Sequence, residues 1–183
     1  MSSKINIFSI IKGHASTLSD SSQKLSIGDI FTFYLVPFTA ALIMWIAKIN
    51  LDKDVCSLLV NFGSIFTALL LSVLVLVYDQ EVKLQKPEDN ASATAKLRYK
   101  RKKTLLSSLY HNISYSIIIA LLLVLISFIH SLIGINKTAI DASKDFSIGI
   151  NFTTPLLVFI TTNLFLTIIM IVKRLHVLLI NQD

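Results

Sequence analysis

The sequence predicts an all-α integral membrane protein, a four-helix bundle with both termini in the cytoplasm. Of its 183 residues, 54% are hydrophobic and only 15% are charged, whereas a soluble domain has about 25% charged residues. The apolar residues are gathered into runs long enough to cross a bilayer. Basic residues are concentrated between alternate runs. A water-soluble globular domain is therefore excluded.

Four apolar runs define the predicted spans, at 30–47, 55–77, 113–135 and 148–172. The two middle runs contain no Asp, Glu, Lys or Arg, and each exceeds the roughly 20 residues that cross the hydrocarbon core as a helix. Pro37 predicts a kink in the first span. We expect Pro155 in the first turn of the fourth helix, where its missing N–H is not needed.

The remaining segments are a leader (1–29), a basic loop (78–112) and a tail (173–183). The leader has no apolar stretch typical of a cleaved signal peptide. Its residues Phe8, Ile11, Ala15 and Leu18 recur at helical spacing, which predicts either a short helix on the membrane surface or a partly ordered polar leader. In the loop, we expect Asp89 or Asn90 to cap a helix that extends the third span into the cytoplasm.

The orientation follows from the positions of Lys and Arg. Thirteen of these residues lie in the leader, the 78–112 loop and the tail, and four lie in the turns on the other side. Since basic loops remain in the cytoplasm, both termini and the long loop are predicted to be cytoplasmic.

The sequence does not indicate an enzyme, and we expect no cofactor and no metal. It has no acidic pair within a span, no H-E-x-x-H motif and no glycine-rich phosphate loop. His130, near the outer end of the third span, is the sole ionisable residue in a span. It is either a sensing group in an aqueous vestibule or, as we favour, an interfacial histidine hydrogen-bonded to a neighbour. Ion-coupled transport is thus disfavoured.

Small polar residues form stripes along three spans. They are Ser57, Asn61, Ser64 and Ser72 in the second, Ser116, Ser127 and Ser131 in the third, and Thr161, Asn163 and Thr167 in the fourth. Such stripes allow membrane helices to approach closely and to bond across the interface. They can also line a weakly polar pore in an assembly of several copies. Helix packing is the favoured interpretation, and the pore remains open.

The most specific local feature is a basic segment at 96–103. Its six basic residues are Lys96, Arg98, Lys100, Arg101, Lys102 and Lys103. Next to the cytoplasmic leaflet, this segment is expected to bind anionic lipids. The alternatives are a docking site for an acidic cytoplasmic partner protein and a binding site for nucleic acid or a nucleotide messenger. Direct nucleic-acid binding is not expected, because the loop is too short for a recognition fold.

Several stretches resemble a known group of proteins. They are 29–37 (DIFTFYLVP), 64–71 (SIFTALLL), 112–117 (NISYSI) and 166–174 (LTIIMIVKR). Together they resemble small four-span bacterial membrane proteins of anti-phage defence loci, of the type of the Kiwa membrane subunit or the membrane accessory protein of type VI CRISPR loci. The resemblance implies a defence role at the inner membrane, through sensing infection or damaging the cell's own membrane. It transfers no catalytic residue.

These observations predict a non-enzymatic inner-membrane sensor or scaffold that forms a homo-oligomer. It would dock a soluble cytoplasmic partner through the basic segment. A pore-forming effector that depolarises the membrane is the first alternative, and a small-solute channel or exporter unrelated to defence is the second.

Overall fold

The computed structural model describes residues 7–18, 28, 31–136 and 144–180. Within these ranges the structure is helical and contains no strand. The helices are α1 (Ile7–Ser16), α2 (Val36–Ile46), α3 (Lys53–Val82), α4 (Ala93–Asn136) and α5 (Lys144–Ile180). A π-helical segment, Phe31–Leu35, leads directly into α2.

Three helices are long and apolar enough to cross a membrane, which indicates a multi-pass membrane protein. Their apolar portions lie in Lys53–Val82, Ala93–Leu132 and Phe152–Leu178. The second, third and fourth predicted spans fall within α3, α4 and α5. The first corresponds to a shorter apolar helix, Phe31–Ala47. At 1.5 Å per residue this helix is about 25 Å long, a little less than a typical hydrocarbon core.

Two sequence-based expectations about helix ends are wrong. Helix α5 begins at Lys144, so Pro155 lies inside the helix and not in its first turn. An interior proline is tolerated in membrane helices when neighbouring groups bind the freed carbonyl. The helix after the basic loop is capped by Ser92, whose Oγ accepts from Ala95 N–H at 3.2 Å, and not by Asp89 or Asn90. Ser92 is the residue directly before α4, where a side-chain oxygen reaches the third helical amide.

A change in helix type lies next to Pro37, where the sequence predicts a kink. The π-helical segment ends one residue before α2, and Pro37 lies in the first turn of that helix. Proline has no N–H to donate to the carbonyl four residues earlier, that of Phe33. A π-helical turn at this junction accommodates the interrupted hydrogen-bond ladder.

Helix α4 occupies the centre of the packing and lies against α1, α3 and α5. Helix α2 packs on α5 and does not pack on α3 within the described residues. The helices therefore follow the order α3, α4, α5, α2 and leave one face of α3 uncovered. Near the basic segment, a core of large side chains from α3, α4 and α5 joins them, including Val77, Leu109 and Ile171. A second core, around Leu123, Leu157 and Leu164, lies towards the other end of the bundle.

The approach of α3 to α4 depends on Gly63. A Cβ atom at this position would lie 2.7 Å from Cγ2 of Val124 and 3.1 Å from the carbonyl oxygen of Ala120. The nearer atom belongs to a β-branched side chain with a restricted rotamer, and the other belongs to the backbone. Neither atom can easily move away from an added Cβ. Contact of this kind is the geometry that small residues permit between membrane helices.

We expect Gly63→Val to lower the free energy of unfolding by about 1–3 kcal/mol, because overpacking separates α3 from α4. The measurement is an unfolding titration in detergent followed by circular dichroism. Ser64→Val introduces the same side chain one residue along, at an exposed position, and should change stability by less than about 0.5 kcal/mol. Equal effects at the two positions would contradict this close contact.

Candidate functional site

The basic segment lies near the start of α4, in its second and third turns, and precedes the apolar run at 113–135. Its side chains at positions 96, 98, 100, 101 and 103 are exposed, and that of Lys102 is half-buried. The Lys96 ammonium donates to the carbonyl of Asp89, which ties the start of the helix to the preceding turn. The segment is therefore a helical cationic surface.

An open groove of ≈ 890 Å³ runs beside this surface. The α3–α4 connection, the basic segment and the C-terminal turn of α5 form its walls. Its lining combines the cations Arg98, Arg101 and Lys102 with the exposed apolar side chains Leu97 and Ile180. No acidic residue of the described part of the chain lines it.

The polar stripe of α4 lies inside the chain's own bundle. Ser116 and Ser127 are buried and Ser131 is half-buried. The hydroxyl oxygens of Ser116 and Ser127 have no hydrogen-bond partner among the described residues. This placement matches helix packing, whereas a pore lining between copies requires these side chains to face a lumen.

The polar stripe of α3 has the opposite placement, since Ser57, Asn61, Ser64 and Ser72 are all exposed. The hydroxyls of Ser64 and Ser72 donate to the carbonyls of Val60 and Ala68 in their own helix, at 2.8 and 3.1 Å.

On α5, Asn163 and Thr167 are buried and Thr161 is half-buried. Thr161 donates to the carbonyl of Leu157 at 2.8 Å, and Thr167 donates to the carbonyl of Asn163 at 2.9 Å. The two threonine hydroxyls are thus bound within their own helix, and only the amide of Asn163 reaches other elements.

His130 is buried near the end of the bundle opposite the basic segment. Its Nδ1 lies 2.6 Å from Oγ1 of Thr153 on α5, and its Nε2 lies 3.4 Å from the carbonyl oxygen of Leu51. The ring therefore joins α4 to α5 beside the turn between α2 and α3. Its surroundings are those of a hydrogen-bonded packing residue.

The structure also assembles a buried polar cluster that the sequence interpretation did not anticipate. We define it as His14, Thr17, Asn112, Tyr115 and Asn163. Oδ1 of Asn112 accepts from His14 Nδ1–H at 2.8 Å and from Thr17 Oγ1–H at 2.7 Å. The His14 ring stacks on that of Tyr115, with centroids 3.9 Å apart. The cluster fastens the N-terminal helix to α4.

Asn163 extends the cluster to α2. Its Oδ1 accepts from the Tyr115 hydroxyl at 2.9 Å. Its Nδ2 donates to the carbonyl of Phe33 at 3.1 Å, the carbonyl to which Pro37 cannot donate. A single side-chain amide thus joins three elements and satisfies a buried carbonyl, whose orphaning costs about 1–3 kcal/mol.

Sequence reasoning missed most of this cluster. It did not single out His14, and it recognised Asn163 only as part of a stripe. One usable signal was Asn112 and Tyr115, polar groups three residues apart at the start of an apolar run. No spacing rule indicates that a leader residue 98 positions away is their partner.

Burial lowers the pKa of His14 below its ordinary value of 6.5, the hydrogen bond to Asn112 opposes this shift, and the positive charge of Arg174 adds to it. Arg174 also holds the end of α1, since its Nη2 donates to the carbonyl of Thr17 at 2.8 Å. The docked helix therefore favours neutral His14.

The described residues contain no group of three His, Cys, Asp or Glu side chains that could hold a metal ion. Comparison of the chain with protein-family profiles, curated proteins and solved structures finds no match. The resemblance to defence-locus membrane proteins thus remains an expectation.

We expect the docking of α1 to weaken as the pH falls below 6.5, the ordinary pKa of His14. Because the folded pKa of His14 is lowered, its contribution to docking is complete above 6.5 and is lost below that value. The fraction of undocked α1 should rise by up to about tenfold per pH unit. Hydrogen–deuterium exchange of residues 7–16, corrected for intrinsic rates, measures this change.

His14→Gln, which does not titrate, should abolish the pH dependence of exchange in α1. His111→Gln, a change to the neighbouring imidazole on α4, should preserve it. A pH response that survives in His14→Gln would assign the effect to another group.

Proposed function

We propose that the chain is a non-enzymatic sensor or scaffold subunit of the bacterial inner membrane, with four spans and both termini in the cytoplasm. The excess of basic residues in the leader, the 78–112 loop and the tail supports this orientation. The short helix Phe31–Ala47 serves as the first span, and modest bilayer thinning accommodates its length.

The observation that carries the proposal is the groove beside the basic segment. Helix α4 continues for several turns before its apolar portion and presents its cations on a folded surface. A flexible polybasic tail would suffice for lipid attraction alone. A helical wall with an adjoining apolar lining is instead typical of a surface that receives a protein segment.

The chemistry of the groove selects an acidic, amphipathic segment of a cytoplasmic protein. Arg98, Arg101 and Lys102 would pair with its carboxylates, and Leu97 with Ile180 would contact its apolar side chains. Defence against phage is the setting that the sequence resemblance implies. The sensor would transmit a membrane event to that partner.

We expect Arg101→Gln/Lys102→Gln to release the partner while membrane insertion persists. Each lost charge-assisted hydrogen bond costs about 1.5–3 kcal/mol, so occupancy should fall at least about tenfold. The measurement is the mass and composition of the complex extracted from its native membrane into nanodiscs.

Lys83→Gln/Lys86→Gln is the matched control. It removes the same charge from the α3–α4 connection at two exposed positions that do not line the groove. The control should retain a stoichiometric soluble protein. Retention by both variants, or a wild-type complex without any soluble protein, would refute docking in the groove.

A pore-forming assembly is the second candidate, and the uncovered face of α3 favours it. Ser57 and Asn61 are exposed there and make no side-chain hydrogen bond within the described residues. An amide facing lipid at this depth lacks a partner, whereas water or a second copy supplies one. In such an assembly α3, and not the buried serine stripe of α4, lines the lumen.

We expect Asn61→Leu to reduce potassium efflux from proteoliposomes at least about tenfold, because it removes a polar group from a narrow lining. Thr39→Leu makes a similar polar-to-leucine change at an exposed position of α2 and should leave the flux unchanged. Absence of wild-type efflux, or equal efflux in all three proteins, would exclude this lining.

A further inference from the structure

A second pocket lies between the end of α1 and one face of α4, and it shares Lys100 and Thr104 with the groove. Its volume is ≈ 430 Å³. The lining residues are Ser16, Thr17, Lys100, Lys103, Thr104, Ser107, Ser108 and His111. We call it the α1–α4 pocket.

The α4 wall is a continuous face of cationic and hydroxyl groups. The six lining positions from 100 to 111 recur at three- and four-residue intervals, which places them on one side of a helix. Lys100 and Lys103 are exposed and lie one turn apart. Among the residues that the structure describes, no acidic side chain lines the pocket, so within that part of the chain no carboxylate offsets the repulsion between these like charges.

Two hydroxyls in this wall are available as donors. Ser107 and Ser108 make no side-chain hydrogen bond within the described residues. Thr104, by contrast, donates to the carbonyl of Lys100 at 2.9 Å. Free hydroxyls beside two ammonium groups are the donors that bind phosphate oxygens.

The opposite wall is held in place by close contact. A Cβ atom on Gly13 would lie 2.5 Å from Nδ1 of His111. The close approach of α1 to α4 therefore depends on glycine at this position. The bonds from Thr17 and His14 to Asn112 fix the end of α1. The contacts of the polar cluster therefore fix the α1 wall of the pocket. This wall does not depend on a mobile side chain alone.

The position of the pocket relates it to the membrane surface. His111 precedes the apolar portion of α4 by only two residues. On α1, Ile7, Phe8 and Ile11 are exposed, with Phe8 at 72%. Exposed apolar residues on a short helix are typical of interfacial helices, which places the pocket at the level of lipid phosphates.

We infer that the α1–α4 pocket is a phosphate-binding site, in which Lys100 and Lys103 supply charge and Ser107 with Ser108 donate hydrogen bonds. Two sources offer this group, the headgroup of an anionic phospholipid and a soluble phosphate. The inference goes beyond the proposed partner docking, because it uses a different face of α4 and a different occupant.

The test uses the full chain in phosphatidylcholine nanodiscs and two probes. Inorganic phosphate is titrated by calorimetry, and phosphatidylglycerol, mixed equally with phosphatidylcholine, is counted by native mass spectrometry. Selective retention of phosphatidylglycerol without binding of inorganic phosphate would identify the lipid source. Binding of inorganic phosphate would identify the soluble source. Failure of both probes would overturn the inference.

Two double variants distinguish a specific binding site from nonspecific electrostatic attraction. Lys100→Gln/Lys103→Gln should weaken binding at least about tenfold. Arg101→Gln/Lys102→Gln removes equal charge from residues that do not line this pocket and should retain binding within about twofold. Equal losses in the two variants would show diffuse electrostatics and refute the site.

A further variant leaves the charge unchanged. Ser107→Ala/Ser108→Ala should weaken binding about threefold to tenfold, since two donors are lost. Full binding by this variant would also refute the site. Arg101 and Lys102 line only the groove, and Ser107 with Ser108 line only the pocket. Because these two double variants test the proposals separately, failure of one proposal leaves the other intact.

Discussion

The amide of Asn163 is the interaction on which much of this architecture depends. Pro37 has no N–H to donate to the carbonyl of Phe33, and the interior of an apolar bundle offers no water in its place. Asn163 supplies the donor and at the same time accepts from Tyr115. The short helix α2 packs on α5 but, among the described residues, not on α3. The hydrogen bond from Asn163 to Phe33 thus fixes α2 at its N-terminal junction, where the series of backbone hydrogen bonds is interrupted.

The same chain of polar contacts continues to the N-terminal helix. Tyr115 stacks on His14, and Asn112 binds both His14 and Thr17. The site where α1 docks is therefore linked through two side chains to the entry of α2. Such a link provides a physical route by which a change at the surface helix would reach the membrane-embedded helices, and this is the property that a membrane sensor requires. A buried polar network of this kind favours one arrangement of the helices. An alternative arrangement would leave some buried polar groups without hydrogen-bond partners, which is costly in free energy.

The basic segment, a single feature in the sequence, has two distinct faces in the fold. One face carries Arg101 and Lys102 and adjoins the apolar end of α5, whereas the other carries Lys103 and the serines beneath α1. Lys100 lines both. Helical periodicity places these residues on two faces of α4. Each face lies beside different helices, and this gives the two faces different chemistry. A mixed cationic and apolar groove suits a protein segment, and a small pocket of ammonium and hydroxyl groups suits phosphate.

The sequence by itself determined the helical class, the positions of the three long apolar helices and the cationic surface, because these depend on composition and on contiguous runs. It misplaced the start of α5 and the cap of α4, since helix ends depend on local hydrogen bonds that several nearby residues can supply. Only the tertiary structure decided which stripe is buried. Ser127 faces neighbouring helices and Asn61 faces outward, although the two stripes have similar composition and spacing. It also decided the partners of His14 and Asn163, because contacts between residues 48 to 130 positions apart arise from packing and leave no local pattern in the chain.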